Sequence, residues 1–103
     1  MSAISMEESR KKFVAEYLKQ TKIALEFIEN ELAAKISKVT SILIKARDQG
    51  KKIFIMGNGG SASTASHFAN DLAKLTIADG YPRFKVVSLT DNVPVMLAWA
   101  NDT

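Results

Sequence analysis

The sequence predicts an α/β fold: N-terminal helices followed by a βαβ unit of a parallel sheet, incomplete within these 103 residues. Three observations predict it. Residues 7–49 hold neither proline nor glycine and repeat apolar residues at helical spacing. Ile53-Phe54-Ile55-Met56 is an unbroken apolar run, which suits a strand covered on both faces, as in parallel sheets. A glycine-rich turn, a stretch of small residues at helical spacing and a second apolar run, Phe84 to Leu89, then complete strand, helix and strand. A connection of this kind is almost always right-handed.

In the first segment Phe13, Tyr17, Ala24, Leu25 and Ile28 fall on one helical face. Leu32, Ile36, Val39 and Leu43 form another, with Ile42 and Ala46 beside them. One helix over the whole span is long for a small domain. The expected break is Glu29-Asn30-Glu31, because asparagine suits helix ends. That gives helices over about 6–29 and 31–48, closed by Gly50 past the helix end. The chain thus divides into a helical segment, 1–49, and an α/β segment, 50–103. The first helix is amphipathic but has little chain of its own to pack against. It serves as an oligomer interface, or it covers this domain's own sheet.

After the glycine turn a helix is expected over about 61–75, with Ala62, Ala65, Ala69, Leu72 and Ala73 as a small-residue face for close packing on a sheet. Ala78-Asp79-Gly80-Tyr81-Pro82 is a loop by its turn residues. Thr90-Asp91-Asn92 is a cap cluster, Pro94 is tolerated in a first helical turn, and a short helix over 93–100 completes the chain's elements. Trp99, Met96 and Leu97 are expected in a core or an interface. Two parallel strands leave unpaired edges and much apolar surface, so further strands, from more chain or from other chains, are expected to complete the sheet.

Composition narrows the class. The chain is 47% hydrophobic and 24% charged, ordinary for a globular domain, and has no cysteine for disulfide or thiol chemistry. No apolar run approaches the roughly 18 residues of a membrane span, and residues 1–12 lack the apolar core of a signal peptide, so a cytoplasmic protein is expected. The net charge of +3 arises in residues 1–52, with 11 basic and 7 acidic side chains. Charges of both signs alternate along the helix faces there and no aromatics are interleaved with a basic cluster, which argues against a nucleic-acid surface.

The stretch with chemistry runs from Gly57-Asn58-Gly59-Gly60-Ser61 to Asp71. Glycines let the backbone take positive φ and approach a ligand. Ser61 and Ser63 are expected to cap the helix, and its unpaired N–H groups favour an anion. A phosphate or carboxylate is therefore expected on residues 58–63. No lysine follows the glycines, so this is not a Walker loop. Gly57, Gly59 and Ala62 have the spacing of a dinucleotide fingerprint, but the acidic residue that such sites place about 20 residues further on, at the end of the next strand, is not well placed: Asp79 precedes that strand and Asp91 lies too far along.

Gly57-Asn58-Gly59-Gly60-Ser61 followed by His67-Phe68-Ala69 resembles the signature of the phosphoheptose isomerases, which are sugar isomerase (SIS) domain proteins acting on sedoheptulose 7-phosphate. The resemblance continues through Gly80-Tyr81-Pro82, Val86 to Leu89 and Asn101-Asp102. It implies a flavodoxin-like, three-layer SIS sheet, of which residues 50–103 are the first half. It also implies a phosphorylated sugar ligand and a homo-oligomer, a homotetramer, built through the N-terminal helices.

His67 and Asp71 are four apart and share a helix face. Spacing alone fits metal ligation, a carboxylate orienting an imidazole, or a structural hydrogen bond. The resemblance implies more. The matching histidine of the family is a zinc ligand, and the residue four later is a glutamate acting as ligand and base. Here Asp71 stands in that place, one methylene shorter, and no second histidine is present. The resemblance makes Asp71 the base of an aldose–ketose isomerisation and His67 its metal or hydrogen-bond partner. Asn58, Gly59, Gly60 and Ser61 would hold the sugar phosphate, and Asn101 and Asp102 the sugar hydroxyls. Asn101-Asp102 also fits a plain helix C-terminal turn. Ser63, Thr64 and Ser66 read as capping or packing residues.

Three functions stand as expectations. One is an enzyme subunit converting sedoheptulose 7-phosphate to glycero-manno-heptose 7-phosphate through an enediol. Another is a non-catalytic SIS module that binds a sugar phosphate and a partner such as a replication initiator protein; Thr90-Asp91-Asn92-Val93 is similar to that branch. The third is a fragment without activity of its own.

Overall fold

The computed structural model describes residues 2–102. The chain forms two compact units, one up to Val39 and one from Thr40 onward. The element order is α1 (Ala3–Phe27), a π-helical stretch (Ile28–Leu32), α2 (Ala33–Asp48), β1 (Lys52–Ile55), α3 (Gly60–Lys74), β2 (Lys85–Ser88) and α4 (Val93–Asp102).

Helix α1 begins where Ser2 can cap it: the Ser2 hydroxyl accepts from the Ser5 N–H at 3.2 Å. The expected break at Glu29-Asn30-Glu31 is not a helix end. The helix runs on through five π-helical residues, and Asn30 lies in their middle. A π stretch accommodates one extra residue within a continuous helix, so irregularity is absorbed without breaking the rod. No residue of α1 is buried; Phe13, Tyr17 and Leu25 are exposed.

In the second unit α2 ends as its sequence suggests. Gly50 takes φ 67°, its N–H donates to the Arg47 carbonyl at 3.0 Å, and the Lys51 N–H donates to the Ala46 carbonyl at 2.9 Å. These are the two bonds of a Schellman closure, which needs a residue tolerant of positive φ. Arg47 then lies over the rings of Tyr81 and Phe84, at 5.0 and 5.5 Å from their centroids. The last turn of α2 is thereby tied to the segment that enters β2.

The strands are parallel, with Ile53 beside Val86 and Phe54 beside Val87. Helix α3 connects them and packs on one face. Its Ala65 and Ala69 are buried, as the small-residue face predicts, with Ser88 of β2 buried opposite. The expectation of a strand covered on both faces fails within this chain. Ile53 and Ile55 are partly covered by α3, whereas Phe54 and Val87 point away and are 57% and 45% exposed. Met96, Leu97 and Trp99 are likewise exposed rather than part of a core of this chain. The outward faces of α4 and the sheet are apolar surface with no covering layer among the described residues. Asn92 starts α4, its side chain accepting from the Val95 N–H at 3.4 Å. The helix runs two residues past the expected end and takes in Asn101 and Asp102.

Candidate functional site

The site is built where β1 hands over to α3. After Ile55 the chain turns through Met56, Gly57, Asn58 and Gly59 and enters the helix at Gly60. Gly59, at φ 56°, is the N-cap and supplies no side chain, so Ser61 and Ser63 do not cap α3 as expected. The turn closes on itself instead. The Ser61 N–H donates to the Asn58 carbonyl and the Ala62 N–H to the Gly59 carbonyl, both at 3.0 Å. That leaves the N–H groups of Gly59 and Gly60 without an acceptor among the described residues, at the positive end of the α3 dipole.

Gly57 is the residue whose need sequence reasoning missed. A Cβ there would lie 2.5 Å from the Ser61 carbonyl oxygen, so only glycine lets the first turn of α3 fold back against the strand end. A Cβ on Gly60 would meet nothing within 4 Å. The same small residue therefore has a structural cause at Gly57 and none within this chain at Gly60. Space above Gly60 is what a bound ligand would use.

Down the helix, Ser61, Thr64, Phe68 and Asp71 recur at i, i+3, i+4 spacing along one flank, with His67 at its outer edge. A shallow hollow beside the turn is lined by Ile55, Met56, Ser61, Thr64, Ala65 and Phe68. The Thr64 hydroxyl donates to the Gly60 carbonyl at 3.1 Å. His67 Nε2 is 3.1 Å from Asp71 Oδ2, and Asn70 Nδ2 donates to Asp71 Oδ1 at 3.4 Å. Both Asp71 oxygens are thus held, while the His67 side chain is 77% exposed.

The predicted residues are therefore gathered in part. Asn58, Gly59, Gly60 and Ser61 form one turn, and His67 and Asp71 stand on the helix that this turn begins. Asn101 and Asp102 are exposed in the last turn of α4, with no bond to that turn or to α3 among the described residues. On the other flank of α3 lies a wider groove of about 700 Å³. At its rim the Ser66 hydroxyl donates to the Asp91 carboxylate across 25 residues of sequence, and the hydroxyls of Ser88 and Thr90 meet at 3.2 Å. Nothing in the local sequence around Ser66 announces that link.

Zinc, which the sequence resemblance implies, can be tested against these donors. Zinc sites use three or four protein ligands. His67 and Asp71 supply two, and no group of three or more His, Cys, Asp or Glu side chains stands ready among the described residues. The residues of one chain do not fit a closed zinc site.

Comparison with known proteins agrees with the turn and helix. The SIS domain family matches residues 16–97. A lincomycin biosynthesis protein, LmbN, of Streptomyces lincolnensis is 63% identical over 46 residues, covering 45% of this chain and 17% of that protein. The phosphoheptose isomerase of Geotalea uraniireducens is 36% identical over 85 residues, covering 76% of this chain and 41% of the enzyme. That of Geobacter metallireducens is 34% identical over 92 residues, covering 82% and 44%. The chain thus spans less than half the length of these relatives. No solved structure matches it. Among the described residues no helix is long and apolar enough to cross a membrane. The names of these relatives lend no support to a non-catalytic module acting with a replication initiator. With four-fifths of its length matched and its glycine turn and helix in the expected order, this chain belongs to the SIS domain family.

Proposed function

We propose that this chain is the sugar-phosphate-binding front portion of an aldose–ketose isomerase of the phosphoheptose isomerase type. The observation that carries the reading is the turn at Gly59 and Gly60, with two unengaged N–H groups at the start of α3 and open space above Gly60. The phosphoheptose isomerases of two bacteria, similar to this chain over most of its length, supply the substrate class.

In this reading Asn58, Gly59, Gly60 and Ser61 hold the sugar phosphate through backbone N–H groups, an amide and a hydroxyl, assisted by the helix dipole. At 1.5 Å per residue, His67 stands about 9 Å and Asp71 about 15 Å along the helix from Ser61, so the sugar extends along the flank of α3. Asp71 takes the proton from the carbon beside the carbonyl, leaving an enediolate. The hydroxyl proton passes from one oxygen of the enediolate to the other, and return of the abstracted proton to the neighbouring carbon then moves the carbonyl and completes the isomerisation. His67 holds Asp71 through the 3.1 Å contact and keeps its carboxylate oriented. Asn101 and Asp102 would bind sugar hydroxyls once the remaining layers of the domain are in place. The exposed apolar residues of α1, Phe13, Tyr17 and Leu25 among them, suit assembly into a homo-oligomer in the cytoplasm.

Calorimetric titration with sedoheptulose 7-phosphate tests the reading. Gly60→Val should abolish binding, because a β-branched side chain fills the space the phosphate needs, while a Cβ there meets nothing in the protein. Undiminished affinity in that variant sinks the assignment of the turn.

A further inference from the structure

Helix α4 is joined to the rest of its unit by a short turn, residues 89–92, between the end of β2 and Val93. Every residue of α4 is exposed, and the close packing of this unit joins α3 with β1 and β2 rather than with α4. The direction of α4 is therefore set at the turn. The Leu89 N–H donates to the Ile55 carbonyl at 2.9 Å, and the Asp91 N–H to the Ser88 carbonyl at 3.3 Å. The Asn92 side chain then caps the helix by accepting from the Val95 N–H. Between these bonds Asp91 reaches across to the middle of α3, where its carboxylate accepts from the Ser66 hydroxyl. That carboxylate also stands one residue before the cap, at the positive end of the α4 dipole. Asp91 thus ties the start of α4 to the helix that carries the glycine turn, His67 and Asp71.

A small rotation at this point is large at the far end. Asn101 stands about 13 Å along α4 from Asn92, so a swing of about 10° moves it by about 2 Å. A hydrogen bond forms within a few tenths of an ångström of about 2.9 Å, so such a swing forfeits it. We propose that Ser66 and Asp91 are positioning residues, a latch that aligns α4 with α3 and so fixes where Asn101 and Asp102 stand relative to the glycine turn. The use of that alignment for a sugar phosphate rests on the function proposed above; the latch itself does not.

The chain has no cysteine, so spin labels can be placed at Lys74→Cys on α3 and Ala100→Cys on α4, both exposed positions. Double electron–electron resonance then reads the distance between the two helices. One narrow distribution is expected in the labelled parent chain. Ser66→Ala and Asp91→Ala should each shift or broaden it by about 2 Å or more. Ser66→Thr keeps a hydroxyl and should restore the parent distribution. Alanine favours helix, so circular dichroism should show α3 intact in Ser66→Ala. A distribution unchanged in both alanine variants would overturn the proposal, as would a broadening that Ser66→Thr shares. Calorimetric titration with inorganic phosphate separates the latch from the turn. Phosphate should bind Ser66→Ala as it binds the parent; loss of binding there would show that the bond supports the whole of α3 and would overturn the latch. A parent chain that binds no phosphate would overturn the reading of the turn, and the label distances would still decide the latch.

Discussion

A Cβ placed on Gly57 would sit 2.5 Å from the Ser61 carbonyl oxygen and 2.6 Å from its carbonyl carbon. Those atoms are helix backbone and cannot swing aside. The first turn of α3 therefore leans on the end of β1 at a distance that only a hydrogen on Gly57 allows. Gly57→Ala should lift α3 from the strand and cost about 1–3 kcal/mol, the usual range for forced overpacking. Gly60→Ala meets no atom within 4 Å and has no positive φ, so it should leave stability unchanged or raise it by up to about 1 kcal/mol. Urea denaturation of the two variants checks the contrast; equal destabilisation would contradict it.

Arg47 offers a second test. Its guanidinium lies over Tyr81 and Phe84, its side chain is only 14% exposed, and it also meets Asp48 at 2.9 Å. The ion pair joins adjacent residues at the surface, and Asp48 is half exposed, so it should contribute little. The ring contacts and the buried stem matter more. Arg47→Ala is expected to cost about 1–2 kcal/mol in thermal or chemical unfolding, and Asp48→Ala less than about 0.5 kcal/mol. Arg47→Lys should recover only part of the loss, because an ammonium lacks the flat face that stacks on two rings.

These contacts mark the line between what is legible in the sequence and what is not. The strand, turn and helix around Gly57 are legible because apolar runs and glycines act locally, and so is the Schellman closure at Gly50. The contact of His67 with Asp71 is legible because helical spacing fixes it. The serine caps are not, since Gly59 turns the chain so that Ser61 and Ala62 bond to the carbonyls of Asn58 and Gly59 instead. Gly57 reads only as part of a flexible turn, because its constraint appears once the direction of α3 is known. The bond from Ser66 to Asp91 spans 25 residues and has no periodic signature. Burial of Phe54 on both sides is inferred from a composition that suits a larger sheet than two strands can form.

That uncovered face yields a further prediction. Phe54 and Val87 are register partners on the side of the sheet away from α3, 57% and 45% exposed. Fully burying one such side chain is worth about 1.5–3 kcal/mol, so the face should associate with any apolar surface available. The isolated chain should bind a hydrophobic dye and self-associate as its concentration rises. Phe54→Thr together with Val87→Thr keeps strand propensity and should lower both signals. Dye fluorescence and light scattering that are unaffected by the double substitution would place the sticky surface elsewhere, on α1 or α4.

The π-helical stretch can be tested by removing the residue it absorbs. Ile28–Leu32 carries one residue more than an α-helix would use over the same rise, and Asn30 lies at its centre with an exposed side chain. Deleting Asn30 should let α1 and α2 join as one regular α-helix, so helicity by circular dichroism is expected to stay level or increase. The shortened helix makes the same number of turns over that rise, so Phe13, Tyr17 and Leu25 should keep their direction relative to Ile36 and Val39. Intact helicity with unchanged self-association, measured by sedimentation, is therefore the expected result. A fall in helicity would show that the π stretch is needed to form the helix at all. Intact helicity with weakened association would show that the deletion redirects the α1 face after all.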